Sequence, residues 1–278
     1  MIDRASIAHV VRMGSGPART DQDLVAVEAP LNVSVLHPAW MEPRRFGVMM
    51  RTPGHDIELV RGFLYSEGVI RRRDGIAAID IAAGPDGESA LRVTLDASVD
   101  ANAVRDRAQT VTSACGLCGR LSIDRADLLK PGATNEEATF TAEVIRSVPE
   151  TLRAHQAVFA ETGGLHAAAL IDLQGSLQLL REDVGRHNAV DKIVGAALDA
   201  GWLPATHSLL AVSGRVAYEI VQKAAMSGVA AVVAVGAPSS LAVDAARACR
   251  LTLIGFARDG RFNVYAGQER IRTGSAAV

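Results

Sequence analysis

Two cysteines, Cys115 and Cys118, form a lone C-x-x-C motif in which a glycine follows each cysteine. Two thiols at this spacing can share a proton, close a disulfide, supply half of a metal site or carry a sulfur atom. Glycine gives the backbone a conformational freedom that other residues lack, so a second molecule can reach both thiols. The motif therefore predicts exposed, reactive thiols on a mobile C-x-x-C loop.

Zinc is the first alternative use of these thiols. A structural site of four cysteines needs a second pair, whereas the chain has one further cysteine, Cys249, in a predicted helix where it resembles a small core residue. A zinc deaminase would add a His-x-Glu motif, but His166 is followed by two alanines. The histidines lack the paired spacing of zinc ligands, so we expect no metal site, with a mixed cysteine and histidine site as a minor alternative.

Redox chemistry is the second alternative. A thioredoxin-like motif would open a helix directly behind a strand, where the helix N-terminus favours the thiolate. The predicted helix at residues 124–130 is short, and the two glycines of the motif oppose regular structure. A disulfide oxidoreductase stays an open alternative. The remaining interpretation is a sulfur carrier, in which a thiolate takes up a sulfane sulfur as a persulfide and delivers it to a bound acceptor.

The composition is that of an ordinary globular protein. The chain has 278 residues, 49% of them hydrophobic, and its formal charge of −2 arises from 29 basic and 31 acidic residues. This charge draws the protein neither to nucleic acid nor to acidic membranes. The chain shows no secretory signal pattern, and its longest apolar run is far shorter than the roughly 20 residues that a bilayer requires. With three cysteines, an odd number, we expect a cytoplasmic protein without a disulfide framework.

The hydrophobic pattern predicts an α/β protein in two parts. The first part has strands at residues 31–35 and 91–95 and a helix at 56–68. The second part is a layered α/β domain with a sheet covered on both faces. Its predicted strands are at 167–172, 177–180, 209–212, 230–235 and 252–255, and its helices at 141–153, 188–200, 216–227 and 240–249.

The domain boundaries follow from a stretch that is poor in large apolar side chains. Residues 99–135 carry few such side chains and end in the turn sequence Pro-Gly-Ala-Thr-Asn. We therefore assign residues 1–110 to a smaller N-terminal domain, 111–140 to the C-x-x-C loop and connection, and 141–278 to the C-terminal domain. The two thiols then lie between the domains.

Three predicted strand-to-helix junctions share one design. They lie at residues 182–188, 213–215 and 236–240, and each places small or hydroxyl residues at a helix N-terminus. Free backbone amides at such a point favour phosphate, and arginine can add two parallel hydrogen bonds. Each junction alone is an ordinary cap or turn. A fourth segment, residues 255–261, is either a ligand-binding loop with an aromatic ring and two arginines or a hairpin turn with solvated arginines.

The ordered series of these motifs resembles the formate dehydrogenase accessory sulfurtransferases, the FdhD family. The resemblance covers the chain from about residue 30 onward, and it is specific because the motifs occur in combination. They lie at residues 112–119, 162–168, 182–192, 213–215, 236–242 and 255–258.

The resemblance implies a sulfurtransferase that accepts persulfide sulfur from a cysteine desulfurase. It implies transfer of this sulfur to the molybdenum cofactor, Mo-bis(molybdopterin guanine dinucleotide), before the cofactor enters apo-formate dehydrogenase. Cys115 matches the persulfide cysteine, and Cys118 matches its partner, which relays sulfur or resolves the persulfide. The resemblance also implies a homodimer and a C-terminal domain similar in fold to cytidine deaminases.

The cofactor-binding residues are expected at the segment that matches the cofactor-binding stretch of the family and at two of the helix junctions. They are Phe256, Ala257, Arg258, Asp259, Gly260, Arg261, His187 and Arg215. The alternative function is a non-catalytic chaperone that binds the same cofactor and hands it to formate dehydrogenase. In that case the thiols serve only for docking or as a redox element.

Overall fold

The computed structural model describes residues 4–83, 88–104, 110–111 and 137–272. Within these ranges the chain is a mixed α/β protein, with a five-stranded sheet from the first part, a six-stranded sheet from the second part and two small two-stranded sheets. The C-x-x-C motif and the predicted helix at 124–130 lie outside the described residues. No described helix is long and apolar enough to cross a membrane.

The helices and strands of the described ranges have the following bounds. The helices are α1 Asp56–Ser66, α2 Ala142–His155, α3 Ala157–Thr162, α4 Arg186–Asp199, α5 Tyr218–Ser227 and α6 Ser240–Ala248. The strands are β1 Ala5–Arg12, β2 Arg19–Ala26, β3 Ala29–Leu36, β4 Arg44–Arg51, β5 Ile76–Ala83, β6 Ser89–Leu95, β7 Thr110–Val111, β8 Phe140–Thr141, β9 His166–Asp172, β10 Leu177–Asp183, β11 Ser208–Val212, β12 Ala231–Ala234, β13 Thr252–Arg258, β14 Arg261–Ala266 and β15 Ile271–Arg272.

The five-stranded sheet has the order β5-β6-β3-β4-β7, and one of its faces packs on α1. In its central strand Leu31, Val33 and Val35 are buried, while the residues between them are only partly buried. This alternation places one face of the sheet in the core. The chain before this sheet forms the antiparallel hairpin β1–β2, whose second strand contacts α3.

The six-stranded sheet has the order β10-β9-β11-β12-β13-β14 and is covered on both faces. Along β9, Ala167, Ala169 and Ile171 belong to the core under α2, whereas Ala168 and Leu170 belong to the core under α4 and α5. The second of these cores also contains α1 and the inner face of the five-stranded sheet. The helices α1 and α4 therefore lie between the two large sheets.

Helices α1 and α4 approach each other closely because each presents a glycine to the other. A Cβ atom at Gly62 would overlap the carbonyl oxygen of Asp191, and one at Gly195 would overlap the carbonyl oxygen of Glu58. Neither glycine is needed for its backbone conformation, since both lie within regular helix. The two glycines are therefore required by the packing of the two parts of the chain.

The structure confirms the predicted helices and strands of both parts, with boundaries shifted by a few residues. The hydrophobic pattern did not predict the hairpin β1–β2, strands β4, β5 and β14, the two-residue strands β7, β8 and β15, or the short helix α3. The strands β1, β2 and β5 are largely exposed, so they lack the apolar periodicity on which the prediction relied. The domain boundaries and the similarity to cytidine deaminases stay predictions.

Gly195→Ala should destabilise the protein by about 1–3 kcal/mol, because the added methyl group meets the backbone of α1. In an ordinary helix the same change stabilises by roughly 0.5–1 kcal/mol. Urea unfolding would measure the difference, with Gly14→Ala as the control because a Cβ atom at Gly14 would have no neighbour within 4 Å. Stability equal to or above that of the wild type would contradict the packing role of Gly195.

Candidate functional site

The carboxyl ends of four strands meet at one edge of the six-stranded sheet. Strands β10, β11, β12 and β13 run parallel, because β9 lies antiparallel between β10 and β11. The chain leaves β10, β11 and β12 at this edge and enters α4, α5 and α6. The three predicted junctions therefore lie side by side, at the edge where open α/β sheets bind ligands.

Asp183 organises the first junction. Its side chain is fully buried and accepts hydrogen bonds from the backbone amides of Gly185 at 2.8 Å and Thr52 at 3.2 Å. Asn188 Nδ2 donates to it at 2.9 Å, and Lys192 Nζ lies 2.6 Å away. Lys192 also donates to the carbonyl oxygen of Thr52 at 2.9 Å. Because Thr52 precedes α1, the cluster fixes the N-terminus of α4 against the first part of the chain.

The second and third junctions contact each other through their backbones. The amide of Gly236 donates to the carbonyl oxygen of Gly214 at 3.1 Å, and a Cβ atom at Gly236 would lie 2.8 Å from that oxygen. Two serine hydroxyl groups at these junctions already have partners. Ser213 Oγ accepts from the amide of Ala167 at 2.9 Å, and Ser239 caps the N-terminus of α6. These two serines therefore serve the fold.

The fourth segment forms the hairpin between β13 and β14. The prediction that the strand ends at Gly255 is wrong, since β13 continues to Arg258 after a bulge at Phe256, where φ is 53°. The bulge lets the chain stay paired beyond the glycine. Asp259 and Gly260 form the turn, and their φ values of 53° and 69° are typical of a type I′ turn. The segment is therefore a hairpin, while ligand binding by its arginines stays a prediction.

A cavity of about 690 Å³ adjoins this edge on the side of the sheet that α2 covers. This volume lies within the range of small-molecule sites, which is about 300–1,000 Å³. Its walls come from α2, the α2–α3 junction, α3, the loop before β9, the second junction and the hairpin. The cavity therefore joins the predicted hairpin segment to helices that no motif indicated.

The cavity carries more positive than negative charge. Arg146, Arg153 and Arg258 line it, against Glu150 and Asp259. The guanidinium of each arginine lies within about 6 Å of an aromatic ring centre: Arg146 with Phe262, Arg153 with Phe159 and Arg258 with Phe256. Arginine matches phosphate geometry with paired donors. The cavity is therefore suited to a ligand with both an anionic and a planar part.

Two histidines lie near this edge, and the surroundings favour the neutral form of both. His166 lines the cavity, and its pKa is lowered by partial burial and by the positive charges of Arg186 and Arg215. His187 is buried, and its pKa is lowered to about 3 by burial and by Lys223, Arg186 and His166. Within the part of the chain that the structure describes, neither ring nitrogen of His187 has a hydrogen-bond partner, and Nε2 lies 3.9 Å from the carboxylate of Glu219.

The structure places some of the predicted binding residues in the cavity and others beside it. Arg258, Asp259 and Gly260 line it. Two of the other side chains are at least partly buried near the hairpin, since Phe256 is half-buried against Arg258 and Ala257 is packed in the core under α2. His187 is buried in α4. Arg261, at the start of β14, and Arg215, at the second junction, are exposed. Cys115 and Cys118 lie outside the described residues. Among the described residues, no group of three or more His, Cys, Asp or Glu is placed to hold a metal ion.

The sequence interpretation missed the cavity residues of α2 and α3. Arg146 and Arg153 are seven residues apart on α2, a spacing that places them on one helix face. That spacing could have indicated them, but nothing in it distinguishes binding arginines from solvated ones. Gln156 and Phe159 belong to no motif, and only the fold brings them to the cavity.

Residues 26–272 match the model of the FdhD/NarQ family. This chain belongs to that family. Proteins named sulfur carrier protein FdhD align with it over nearly their whole length. The relative from Streptomyces avermitilis is 42% identical over 277 residues, which cover 97% of this chain and 96% of the relative. The relative from Nocardia farcinica is 44% identical over 97% of this chain and 95% of its own, and the archaeal relative from Sulfurisphaera tokodaii is 42% identical over 90% and 92%.

A solved structure has the same fold. The crystal structure from Desulfotalea psychrophila, described as a formate dehydrogenase accessory protein, superposes with a TM-score of 0.76. It covers 97% of this chain and 100% of its own, at 24% sequence identity. The arrangement of both parts is therefore retained at low sequence identity.

His187→Gln should reduce the loss of stability at low pH. The imidazole titrates near 6.5 when exposed and near 3 in the folded protein, so below about pH 6.5 the unfolded chain binds a proton that the folded chain does not. The free energy of unfolding then falls as pH falls, by about 2 kcal/mol for this group between about pH 7.5 and about pH 5. Urea unfolding at both pH values would measure the difference. His207→Gln, on an exposed loop, is the control. If the free energy of unfolding of His187→Gln falls between the two pH values as much as that of the wild type, the effect is refuted.

Proposed function

We propose that this protein is a sulfurtransferase that carries persulfide sulfur on Cys115. It takes the sulfur from a cysteine desulfurase and passes it to the molybdenum cofactor, Mo-bis(molybdopterin guanine dinucleotide), before that cofactor enters formate dehydrogenase. The names of the full-length relatives, sulfur carrier protein, support the carrier role. The cofactor is a substrate of this reaction, and the protein acts in the cytoplasm as a homodimer.

The cavity beside the sheet edge is the observation that supports binding of the cofactor as sulfur acceptor. A guanine dinucleotide offers phosphates and flat rings, and the cavity offers arginines and the ring of Phe159. Two of its glycines, Gly163 and Gly260, leave open space, since a Cβ atom at either would have no neighbour within 4 Å. The residues present therefore fit a nucleotide portion of the proposed acceptor.

The sulfur uptake step needs no external oxidant. The Cys115 thiolate attacks the terminal sulfur of the donor persulfide, the S–S bond of the donor breaks, and the donor thiolate leaves. Release of the sulfur breaks the new S–S bond in one of two ways. In the first, an electron pair of the acceptor attacks the outer sulfur, and the Cys115 thiolate leaves. In the second, Cys118 attacks the inner sulfur on Cys115, sulfide leaves to the acceptor, and a disulfide forms that a dithiol must reduce before the next cycle.

Cys249 is unsuited to this chemistry. Its side chain is 4% exposed in the core beside α6, and burial raises the pKa of its thiol. The thiolate is the reactive form, and a buried thiol with a raised pKa supplies little of it. The carrier role therefore falls to the C-x-x-C motif.

Cys115→Ala should prevent persulfide formation. After incubation with a cysteine desulfurase and cysteine, intact-protein mass spectrometry should show the wild type gaining about 32 Da, lost again on mild reduction. Cys249→Ala should gain the same mass, and Cys118→Ala tells whether the second thiol is needed for uptake. Absence of any adduct on the wild type would refute the carrier mechanism.

The same variant separates a carrier from a chaperone. Cys115→Ala should still bind GDP, a probe for the guanine nucleotide portion of the acceptor, but should fail to activate formate dehydrogenase. Normal activation by Cys115→Ala would instead establish the non-catalytic chaperone alternative.

Arg258→Gln should weaken GDP binding about tenfold, because it removes a charge-assisted contact from the cavity wall. Arg19→Gln is the control, since Arg19 is an exposed arginine of the hairpin β1–β2 that does not line the cavity. Isothermal titration calorimetry would give both affinities. Equal affinities of the two variants would place the phosphates outside this cavity.

A further inference from the structure

Gln156 is the single residue between helices α2 and α3. It follows the last residue of α2 and precedes the first residue of α3, and its carbonyl oxygen accepts from the amide of Ala160 at 2.9 Å. The residue is 6% exposed and lines the cavity. Its backbone is therefore fixed by a helix on either side, at the wall of the site.

The side-chain amide of Gln156 is not used to cap α3. That role belongs to Glu182 at the end of β10, whose carboxylate accepts from the amides of Val158 at 3.0 Å and Phe159 at 2.8 Å. None of the described residues forms a hydrogen bond with the side-chain amide of Gln156. Because Glu182 caps α3, the side-chain amide of Gln156 is available to a ligand in the cavity.

An amide at a cavity wall that has no partner in the protein is available to a ligand. The residue as a whole is 6% exposed, but its amide atoms are not among the fully buried groups without a partner, so the amide keeps access to the open space of the cavity. The amide of Gln156 offers one acceptor oxygen and two N–H donors in one plane. A matching ligand has donors and an acceptor along one edge of a flat ring.

The surroundings of Gln156 suit such a ring. Phe159, one turn further along, lines the same cavity and offers an apolar face for stacking. Arg153, on the turn of α2 before Gln156, also lines the cavity and lies 5.9 Å from the ring of Phe159. The amide, the aromatic ring and the cation thus face one space from adjacent turns of chain.

We propose that Gln156 is a specificity-determining residue that binds the edge of a 2-amino-4-oxopyrimidine ring in this cavity. This inference rests on the proposed function, because that ring is part of both the guanine and the pterin of the proposed acceptor. Its edge carries a ring N–H and an exocyclic amine as donors, next to an oxo acceptor. Adenine presents a different order of donors and acceptors on its pairing edge.

The test compares the affinities for GDP and ADP of the full-length wild type and two variants by calorimetry. The wild type should prefer GDP. Gln156→Met keeps the size of the side chain but removes its polar atoms, so it should lose about tenfold in GDP affinity and most of the preference over ADP. Gln22→Met, on the exposed hairpin β1–β2, should behave as the wild type.

Gln156→Glu keeps the proposal testable if the apolar variant folds poorly. The two oxygens of glutamate can accept from the two donors of guanine, whereas adenine does not offer these donors side by side. The glutamate variant should therefore retain a preference for GDP. Loss of the preference in this variant, or an unchanged preference in Gln156→Met, would overturn the role of Gln156.

These outcomes differ from a failure of the proposed function. If the wild type binds GDP but Gln156→Met keeps the same preference, only the role of Gln156 is refuted. If the wild type binds neither nucleotide, the acceptor site itself is refuted, and the role of Gln156 with it. Formation of the persulfide on Cys115 is measured independently of both.

Discussion

The buried carboxylate of Asp183 is the constraint on which the site depends. A charge without exposure to water needs complete pairing, and here four donors from two segments of the chain supply it. These segments, the loop before α1 and the start of α4, belong to different parts of the chain. The geometry of the sheet edge is therefore set by both parts, and the N-terminal sheet has a direct role in shaping the site.

The close contact of α1 with α4 makes this pairing geometrically feasible. At normal helix separation, the loop that carries Thr52 would stand further from Asp183. A second buried ion pair lies along the same contact, where Lys223 Nζ is 2.7 Å from both oxygens of Asp191 and Ser66 Oγ donates to Asp191 at 3.0 Å. Pairs of this kind favour one arrangement over alternatives because an unpaired partner is costly. The helix packing and the buried ion pairs therefore favour the same position of the first part of the chain against the second part.

Whether a feature could be predicted from the sequence depends on the physical interaction that produces it. The buried strands and amphipathic helices of the second part were predictable, because apolar periodicity reports burial directly. The positions of the junctions were predictable. The structural role of Ser213 and Ser239 was not, because capping and ligand binding use the same residue types. Gln156 was not predictable, because its significance depends on Glu182, 26 positions away, taking the capping role. Exposed strands such as β5 do not show the apolar periodicity from which a strand is predicted.

The hairpin β1–β2 gives the site a degree of evolutionary freedom. Its residues before Ala26 precede the region that matches the family, yet its second strand rests on α3, and a Cβ atom at Gly164 in the cavity wall would lie 3.3 Å from the Cβ atom of Ala26. Substitutions in the hairpin can therefore shift this wall without altering any family motif. Members that share every motif can differ in the shape of the cavity, and so in how tightly they hold the same ligand.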